Sequence, residues 1–187
     1  MNVEREKLID HLKRFSVKKG EEFTLSSGQK SNIYIDVKKT MLKGENSIRL
    51  AEMLWDSVWW WAPRAVAGVG LGGYHLASIV STYGFLSSGN SMVKMDTIYV
   101  RKEAKDYGTK NLIEAPHGSE DGGSVVLLED VITTGQSVLR AARILEESGF
   151  TIKGIVAIVD RRADKTLPTL GEYSFRALVD FEELIEE

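Results

Sequence analysis

One stretch of the chain reads Val125-Val126-Leu127-Leu128-Glu129-Asp130-Val131-Ile132-Thr133-Thr134-Gly135-Gln136-Ser137. An apolar run here ends in two adjacent acids and passes at once into a small, hydroxyl-rich turn. Branched apolar residues in an unbroken run are typical of a parallel strand that is covered on both faces. Apolar residues then recur at helical spacing, at Val138, Ala141, Ala142 and Leu145. The stretch therefore predicts a buried strand, a loop and the start of a helix.

The turn after the acids has the chemistry of an anion site. Its backbone N–H groups, with the hydroxyls of Thr133, Thr134 and Ser137, could hold a phosphate monoester, because the first helical turn has unpaired donors and partial positive charge. Carboxylates would repel a phosphate, so Glu129 and Asp130 are better placed to accept hydrogen bonds from sugar hydroxyls or to face a cation. Acids before a small-residue turn also occur in many α/β proteins. The residues alone therefore leave a phosphosugar site and an ordinary strand end open.

The rest of the chain alternates strand-like and helix-like segments. A helix is predicted over residues 47–58, whose apolar side chains fall mostly on one side. The best candidates for parallel strands are residues 65–68, 97–100, 123–128, 155–159 and 175–179. This alternation predicts a three-layer α/β domain with a central, mostly parallel sheet flanked by helices. Ligands of such domains bind at the carboxyl ends of the strands.

The composition is that of an ordinary globular protein. With 187 residues, 43% of them apolar, the chain is long enough for one domain with a full core. There are 24 basic and 27 acidic residues, and the net charge of −3 does not suggest a general binder of nucleic acid or membranes. The absence of cysteine excludes disulfides, thiolate metal sites and thiol nucleophiles. His11, His75 and His117 have no partner at metal-ligand or triad spacing, which favours surface or structural roles.

Two further segments bear on location and assembly. Residues 1–15 are charged and amphipathic rather than signal-like, and no apolar stretch approaches the roughly twenty residues of a membrane span. We therefore expect a cytoplasmic protein. Trp59, Trp60 and Trp61 are consecutive and cannot all face one core. We expect at least one of them at a subunit interface, where aromatic residues are enriched, with plain partial exposure as the alternative.

As a whole string, residues 125–137 closely resemble the phosphoribosyl pyrophosphate (PRPP) signature of the type I phosphoribosyltransferases. The resemblance implies that family's fold in a single domain over residues 1–187. It implies a small hood near residues 1–40, to which the C-terminal end could add, and a mobile catalytic loop at about residues 102–118. In that family the acid pair holds the ribose hydroxyls and the following loop wraps the 5-phosphate. The residues assigned to PRPP in this stretch are Glu129, Asp130, Val131, Ile132, Thr133, Thr134, Gly135, Gln136 and Ser137.

A second segment, residues 99–114, packs several basic residues into a short run, which alone could be a solvated helix face. As a string, however, Tyr99-Val100-Arg101-Lys102-Glu103-Ala104-Lys105-Asp106-Tyr107-Gly108 resembles the catalytic loop of the orotate phosphoribosyltransferases. In that family the loop closes over the active site of the neighbouring subunit. The resemblance implies that Arg101 and Lys105 act in the partner's site and Lys102 in its own subunit. Asp130 joins these three as the catalytic set, and Tyr107 is assigned to PRPP.

A third match covers residues 22–36. The same family carries a similar segment near its N-terminus, where a Ser-Gly turn and a following aromatic residue approach the pyrimidine and the diphosphate. The resemblance assigns Ser27 and Tyr34 to orotate. The competing explanation needs no ligand, because a glycine turn between two apolar strands makes an ordinary hairpin.

A fourth match is the apolar strand of residues 157–162 with its charged tip. Here the resemblance assigns Arg161 to the orotate carboxylate, and Thr133 is assigned to orotate as well. A guanidinium fork can hold a carboxylate with two parallel hydrogen bonds, which gives the role of Arg161 a physical basis. The competing explanation is an Asp–Arg pair that merely caps the strand.

The sequence departs from the family pattern at three positions. Well-known bacterial members carry a lysine at the positions of Ser26 and Gly72, and a histidine at that of Tyr107. Tyr107 can donate a hydrogen bond but carries no positive charge near neutral pH. The glycine-rich turn of residues 68–73 lies between a strand and a probable helix, so backbone N–H groups could replace a cation around the diphosphate. Gly72 is therefore counted among the PRPP-binding residues.

Together the matches imply magnesium-dependent transfer of ribose 5-phosphate from PRPP to orotate in pyrimidine synthesis. They imply a homodimer with shared loops. No side chain is expected to ligate the magnesium directly, because the substrates hold it with Glu129 and Asp130 nearby. Two alternatives use the same fold: a transferase acting on a purine base, and a weakly active regulator that senses PRPP. The basic loop argues against the first, and the lack of a basic DNA-binding module argues against the second.

Overall fold

The computed structural model describes residues 3–24, 30–88, 94–102, 111–119, 122–166 and 169–186. Within these ranges the chain forms helices, one large sheet and a separate two-stranded hairpin. The helices are α1 (Val3–Phe15), α2 (Lys38–Met41), α3 (Gly44–Trp59), α4 (Gly70–Ser87), α5 (Gln136–Glu147) and α6 (Phe181–Ile185). The strands are β1 (Val17–Thr24), β2 (Lys30–Ile35), β3 (Ala65–Val69), β4 (Asp96–Val100), β5 (Ile113–Glu114), β6 (Gly123–Ile132), β7 (Phe150–Asp160), β8 (Thr169–Leu170) and β9 (Tyr173–Asp180).

The large sheet has the strand order β5-β4-β3-β6-β7-β9-β8. Its five inner strands run parallel, and the short β5 and β8 pair antiparallel at the two edges. The chain passes from β3 to β4 on one side and later returns to place β6 on the other side of β3. The strand order therefore reverses between β3 and β6, which is where open α/β sheets bind ligands. The predicted mostly parallel sheet is confirmed.

Two apolar cores cover the two faces of this sheet. Strand β6 contributes to both, because Val126 and Leu128 join the core formed with α3 and α4, while Val125 and Leu127 join the core formed with α5. Successive side chains of a strand point to opposite faces, so a strand buried on both faces needs an unbroken apolar run. The same burial produces the three layers that the sequence predicts.

The central strands are longer than the sequence predicts. β6 continues through the acid pair to Ile132, and β7 begins at Phe150 rather than at residue 155. The two strands pair in parallel beyond the apolar run, with Glu129 opposite Ala157. Because backbone pairing holds the acids, their side chains alternate as strand residues do rather than projecting from a loop.

Glycines allow β3 and α4 to meet closely. The predicted glycine-rich turn of residues 68–73 is the end of β3 and the first turn of α4, with Gly70 at a φ of 63°. A Cβ on Gly68 would lie 2.0 Å from the carbonyl oxygen of Gly73. Because only glycine permits that approach, the start of α4 is held against the carboxyl end of β3.

The N-terminal elements are fastened at several points. Arg5 of α1 pairs with both carboxylate oxygens of Glu183 in α6, at 2.8 and 2.6 Å. Buried polar groups hold the short helix α2. The Thr40 hydroxyl bonds to that of Ser16 at 2.7 Å, and the Asn46 amide donates to the Thr40 carbonyl at 3.2 Å. A satisfied buried polar network specifies one arrangement, so α2 has a fixed place beside α1 and α3.

The exposed surface includes part of the tryptophan cluster. Trp60 is 80% exposed, and Trp59 stacks on Trp55 with ring centroids 5.2 Å apart. Trp61 packs against the core, with the guanidinium of Arg176 over its ring. The three consecutive rings thus point in different directions, as predicted, and a place at a subunit interface stays a prediction. None of the helices in the described ranges is long and apolar enough to cross a membrane.

Candidate active site

A cleft of about 620 Å³ opens at the carboxyl ends of β3, β4 and β6. This volume is ordinary for a small-molecule site. Most residues that the sequence assigns to the site line this cleft. They are Tyr34, Arg101, Lys102, Arg161 and the run from Glu129 to Ser137. Ser27, Lys105 and Tyr107, like Ser26, lie outside the described residues.

The two acids sit on opposite faces of the end of β6. Glu129 is only 7% exposed and faces α5, where the Ser137 hydroxyl lies 3.5 Å from its Oε2. Asp130 faces α4, and its carboxylate lies against the backbone of Gly72. A Cβ on Gly72 would be 2.5 Å from Asp130 Oδ2. The lysine that the family often carries at this position therefore has no room beside Asp130 as it stands.

Burial raises the pKa of the Glu129 carboxyl well above its usual range, and the charge of Asp130 raises it further. A buried carboxylate loses the solvation that stabilises its charged form, and a neighbouring like charge adds repulsion. The charge of Lys102 acts in the opposite direction but is a smaller influence. Glu129 is neutral at any pH where it keeps its proton, so the acid pair then carries at most one negative charge.

This raised pKa predicts a pH-dependent cost to stability. Below pH 4.5 Glu129 is protonated in both the folded and the unfolded chain, whereas above that pH only the folded chain keeps the proton. The free energy of unfolding should therefore fall as the pH rises from 4.5 through the raised pKa. Glu129→Gln should remove this fall, so the variant should gain stability relative to wild type between pH 4.5 and pH 8.

Urea unfolding of both proteins at pH 4.5 and pH 8 measures that gain. Glu147→Gln is the matched control, because Glu147 is an exposed acid of α5. An equal difference in stability between wild type and Glu129→Gln at the two pH values would contradict the assignment.

The loop after β6 leads directly into α5. Gly135 adopts a φ of 73°, and Gln136 is the first residue of a 12-residue helix. The Thr134 hydroxyl accepts the Gln136 N–H at 3.4 Å, and the next N–H groups have no helical carbonyl one turn earlier. The structure thus brings these donors and the hydroxyls of Thr133 and Ser137 to one helix start, and their role as an anion site stays a prediction.

Two of the predicted cations reach the cleft from the end of β4. Lys102 crosses the start of α4, where its Cε would lie 2.9 Å from a Cβ on Gly70. The Arg101 guanidinium pairs with Glu114 of β5 in the same chain, at 2.8 Å. Arg101 is thus held by an acid of its own subunit in this structure, and its action in a partner's site stays a prediction.

Sequence reasoning missed two other cations that line the cleft, Lys38 of α2 and Arg140 of α5. Lys38 follows Asp36 closely at the end of β2, and a basic residue just beyond a strand end was the available signal. The sequence could not show that α2 turns this side chain towards the acid pair, because that direction depends on how α2 packs. Arg140 lies one turn into α5 and carried no local signal.

Arg161 joins the cleft to the hairpin of β1 and β2, which are antiparallel as predicted. Its Nη2 donates to the Ser31 hydroxyl at 2.8 Å and to the Ile33 carbonyl at 3.2 Å. The guanidinium carbon also lies 4.4 Å from the ring centroid of Phe181. Burial lowers the pKa of Arg161, although a guanidinium stays charged in proteins. Ser31 and Ile33 therefore fix one side of the Arg161 guanidinium.

The competing explanation for Arg161, a strand cap, belongs instead to the next residue. Arg162 pairs with Asp160 at 2.9 Å, and both side chains are nearly buried. Arg161 is therefore not needed for the cap. It lines the cleft together with Tyr34, whose ring lies 5.4 Å from that of Phe23.

A second cavity of about 560 Å³ lies between β5 and the C-terminal end of α5. Among the described residues that line it, Glu147 is the only ionisable side chain. A site for phosphorylated substrates needs cations or clustered N–H donors, and this cavity is poor in both. The first cleft is therefore the candidate active site.

Known proteins resemble this chain over most of its length. The family model of the phosphoribosyl transferase domain matches residues 36–183. An orotate phosphoribosyltransferase of Sorangium cellulosum is 39% identical over 160 residues, which cover 84% of this chain and 80% of the relative. The enzyme of that name from Corynebacterium glutamicum is 35% identical over 187 residues, which cover 98% of this chain and 96% of the relative.

The fold agrees with these relatives. The crystal structure of Mycobacterium tuberculosis orotate phosphoribosyltransferase matches with a TM-score of 0.77 and 26% identity, over 98% of this chain and 99% of that one. The acid pair at the switch point of the sheet, the hydroxyl-rich helix start and the long sequence matches all point the same way. The chain belongs to the phosphoribosyl transferase domain family, and within it to the orotate phosphoribosyltransferases.

Proposed function

We propose that this protein transfers the ribose 5-phosphate group of PRPP to orotate, releasing diphosphate and forming orotidine 5-monophosphate in pyrimidine synthesis. One observation carries the proposal: an acid pair, a hydroxyl-rich helix start and the Arg161 guanidinium line a single cleft. Each group suits one part of the substrates. Carboxylates suit ribose hydroxyls, first-turn N–H groups suit a phosphate, and a guanidinium suits the carboxylate of orotate.

This match between the groups of the cleft and the parts of the substrates assigns a role to each site residue. Glu129 and Asp130 accept hydrogen bonds from the ribose hydroxyls, and residues 133–137 bind the 5-phosphate. Val131 and Ile132 pass beneath the sugar as the strand ends, and the Thr133 hydroxyl faces both substrates. Orotate lies between Tyr34 and Arg161, with Ser27 as a further contact. Gly72 contributes by leaving room for the Asp130 carboxylate.

The chemistry of the transfer is a displacement at C1 of the ribose. A nitrogen of orotate supplies the electron pair for the new bond and loses its proton to the solvent. The bond from C1 to the diphosphate oxygen breaks, and its electrons leave with the diphosphate. The sugar becomes cationic and the leaving group gains negative charge, so groups aimed at those charges lower the barrier most. Asp130 faces the first charge, and Lys102 faces the second. No side-chain nucleophile is required.

Magnesium is the metal that fits this cleft. Among the described residues, no group of three or more His, Cys, Asp or Glu side chains could hold a metal by itself. Mg²⁺ is commonly bound through one or two carboxylates together with substrate phosphates. Glu129 and Asp130 would lie near the ion, and the substrates would provide its ligands. The ion would neutralise the diphosphate charge.

We further propose that residues 1–187 act as one cytoplasmic domain that uses neither nucleic acid nor a membrane. The Arg5–Glu183 pair ties α1 to α6, and Arg161 ties the hairpin to the cleft, which suits a hood over the site built from residues 1–40 and the C-terminal end. The net charge of −3 gives no general attraction to nucleic acid.

We also propose a homodimer in which the two subunits share their catalytic loops, and this assembly can be tested separately. If Lys105 and Tyr107 act in the partner's site together with Arg101, Lys105→Ala should lower kcat by about two orders of magnitude, because it removes a charge that meets the departing diphosphate. Mixing Lys105→Ala with an inactive phosphate-loop variant, Thr134→Asp, should restore up to about a quarter of the activity, because some mixed dimers hold one intact site. Subunits that work alone would show no recovery in any mixture.

The activity itself is tested by following the loss of orotate absorbance with PRPP and magnesium. We expect orotate to be consumed only when both are present, with diphosphate released in equal amount. Turnover of a purine base but not of orotate would overturn the proposal in favour of the purine transferase. Binding of DNA without turnover of any base would favour the PRPP-sensing regulator.

A further inference from the structure

A lysine that the proposed chemistry does not use lies beside the acid pair. The Lys38 ammonium is 2.8 Å from Asp36 Oδ1 and 3.6 Å from Asp130 Oδ2. Its side chain is 34% exposed, while both carboxylate side chains are 17% exposed. Lys38 therefore bridges an acid at the end of β2 and an acid near the end of β6.

The surroundings of Asp36 show that this ammonium is needed. Asp36 Oδ1 is buried and receives no hydrogen bond from the described residues. A buried carboxylate oxygen is costly without a compensating charge, and the ammonium 2.8 Å away supplies it. Partial burial alone would lower the pKa of Lys38, but the contact with Asp36 and the charge of Asp130 outweigh burial and raise it.

The helix that carries Lys38 is fixed. Val37, Thr40 and Met41 are buried, and Thr40 takes part in the polar network with Ser16 and Asn46. A functional side chain is held most accurately when its element is locked by packing and by buried hydrogen bonds. The position of the ammonium near Asp130 is therefore a built feature of the fold rather than a chance surface contact.

The backbone of Gly72 also lies against the Asp130 carboxylate. Gly72 presents only backbone there, and a Cβ on it would collide with Oδ2. Lys38 approaches the same oxygen from α2. Oδ2 of Asp130 thus lies close both to glycine backbone and to an ammonium.

We propose that Lys38 is a positioning residue for the PRPP site, which holds the Asp130 carboxylate oriented towards the ribose. The inference rests on the proposed function, since it assigns Asp130 to the ribose. Lys38 acts through Asp130, so its contribution should disappear when Asp130 is changed. An ammonium 2.8 Å from one carboxylate and 3.6 Å from another attracts both by charge and so favours one orientation of each.

The measurement is PRPP affinity by titration calorimetry, with steady-state kinetics alongside. Lys38→Met should weaken PRPP binding and raise the KM for PRPP about tenfold, with a smaller change in kcat, as expected for loss of one charge-assisted contact. Lys38→Arg, which keeps the charge, should stay within about threefold of wild type. Lys39→Met is the matched control, because Lys39 is the next residue of α2, is exposed and does not line the cleft.

A double-mutant cycle identifies the route of the effect. In the Asp130→Asn background, Lys38→Met should change PRPP affinity by less than about twofold, because residues that act through one contact are not additive. A full tenfold loss in that background would overturn the proposal, as would wild-type affinity in the single variant. If Lys38→Met does not fold, which thermal unfolding would show, Lys38→Gln takes its place in the cycle.

Measuring PRPP affinity tests the role of Lys38 separately from the proposed transfer to orotate. A wild-type protein that binds PRPP but does not consume orotate would refute the transfer, yet the cycle would still decide the role of Lys38. A protein that consumes orotate normally with Lys38→Met would refute the role of Lys38 and leave the transfer intact.

Discussion

Replacing Asp130 by Asn should lower kcat/KM for PRPP about a hundredfold, while orotate affinity changes by less than about twofold. Asn keeps the size of the side chain, so the contact with the Gly72 backbone survives. What is lost is the negative charge that the ribose meets as it becomes cationic. Hydrogen bonds to a charged group contribute about 1.5–3 kcal/mol, which corresponds to a factor of ten to a hundred or more.

The control for this change is Asp56→Asn, because Asp56 is an exposed acid of α3 and does not line the cleft. It should leave both substrates unaffected. Titration calorimetry with each substrate gives the ranking directly. A larger loss of orotate affinity than of PRPP affinity in Asp130→Asn would contradict the assignment of the acid pair to the sugar.

Replacing Arg161 by Ala should raise the KM for orotate about a hundredfold or more and change PRPP affinity little. Truncating one partner of a desolvated charge pair typically costs 2–5 kcal/mol, because the remaining carboxylate is left without its fork. Arg161 lies in the cleft and is partly desolvated, as the lowering of its pKa by burial shows. The measurement is steady-state kinetics with each substrate varied in turn.

Arg161 also holds the hairpin, so this prediction needs a control that separates the two roles. Ser31→Ala removes the acceptor 2.8 Å from Nη2 while the guanidinium remains. It should raise the KM for orotate only a few-fold, since one neutral acceptor is lost and the Ile33 carbonyl still orients Nη2. Equal effects of Ser31→Ala and Arg161→Ala would mean that Arg161 works through the hairpin and does not bind orotate.

The sequence predicts the sheet well because its pattern is dictated by burial. The unbroken run of residues 125–128 is typical of a strand covered on both faces, and the structure provides two cores. The ends of β6 and β7 could not be predicted, because they extend by pairing with each other beyond the apolar run. The two-residue strands β5 and β8 carry too few residues for any periodicity.

The site was predictable where its residues are consecutive. The run from Glu129 to Ser137 enters the cleft as one piece, because a strand end and a helix start follow each other in the chain. Site residues that come together only through packing were harder to predict from the sequence. Lys38 reaches Asp130 because buried hydrogen bonds to Ser16 and Asn46 anchor α2. The Arg101–Glu114 pair depends on the small strand β5. No local pattern reports such contacts.

The central claim is that the acid pair and the turn after it grip one phosphorylated sugar. A crystal structure of the protein with PRPP and magnesium tests it most directly. We predict the 5-phosphate within hydrogen-bonding distance of the N–H groups and hydroxyls of residues 133–137, and the ribose hydroxyls on Glu129 and Asp130. A sugar bound elsewhere, or these two carboxylates turned away from it, would contradict the account.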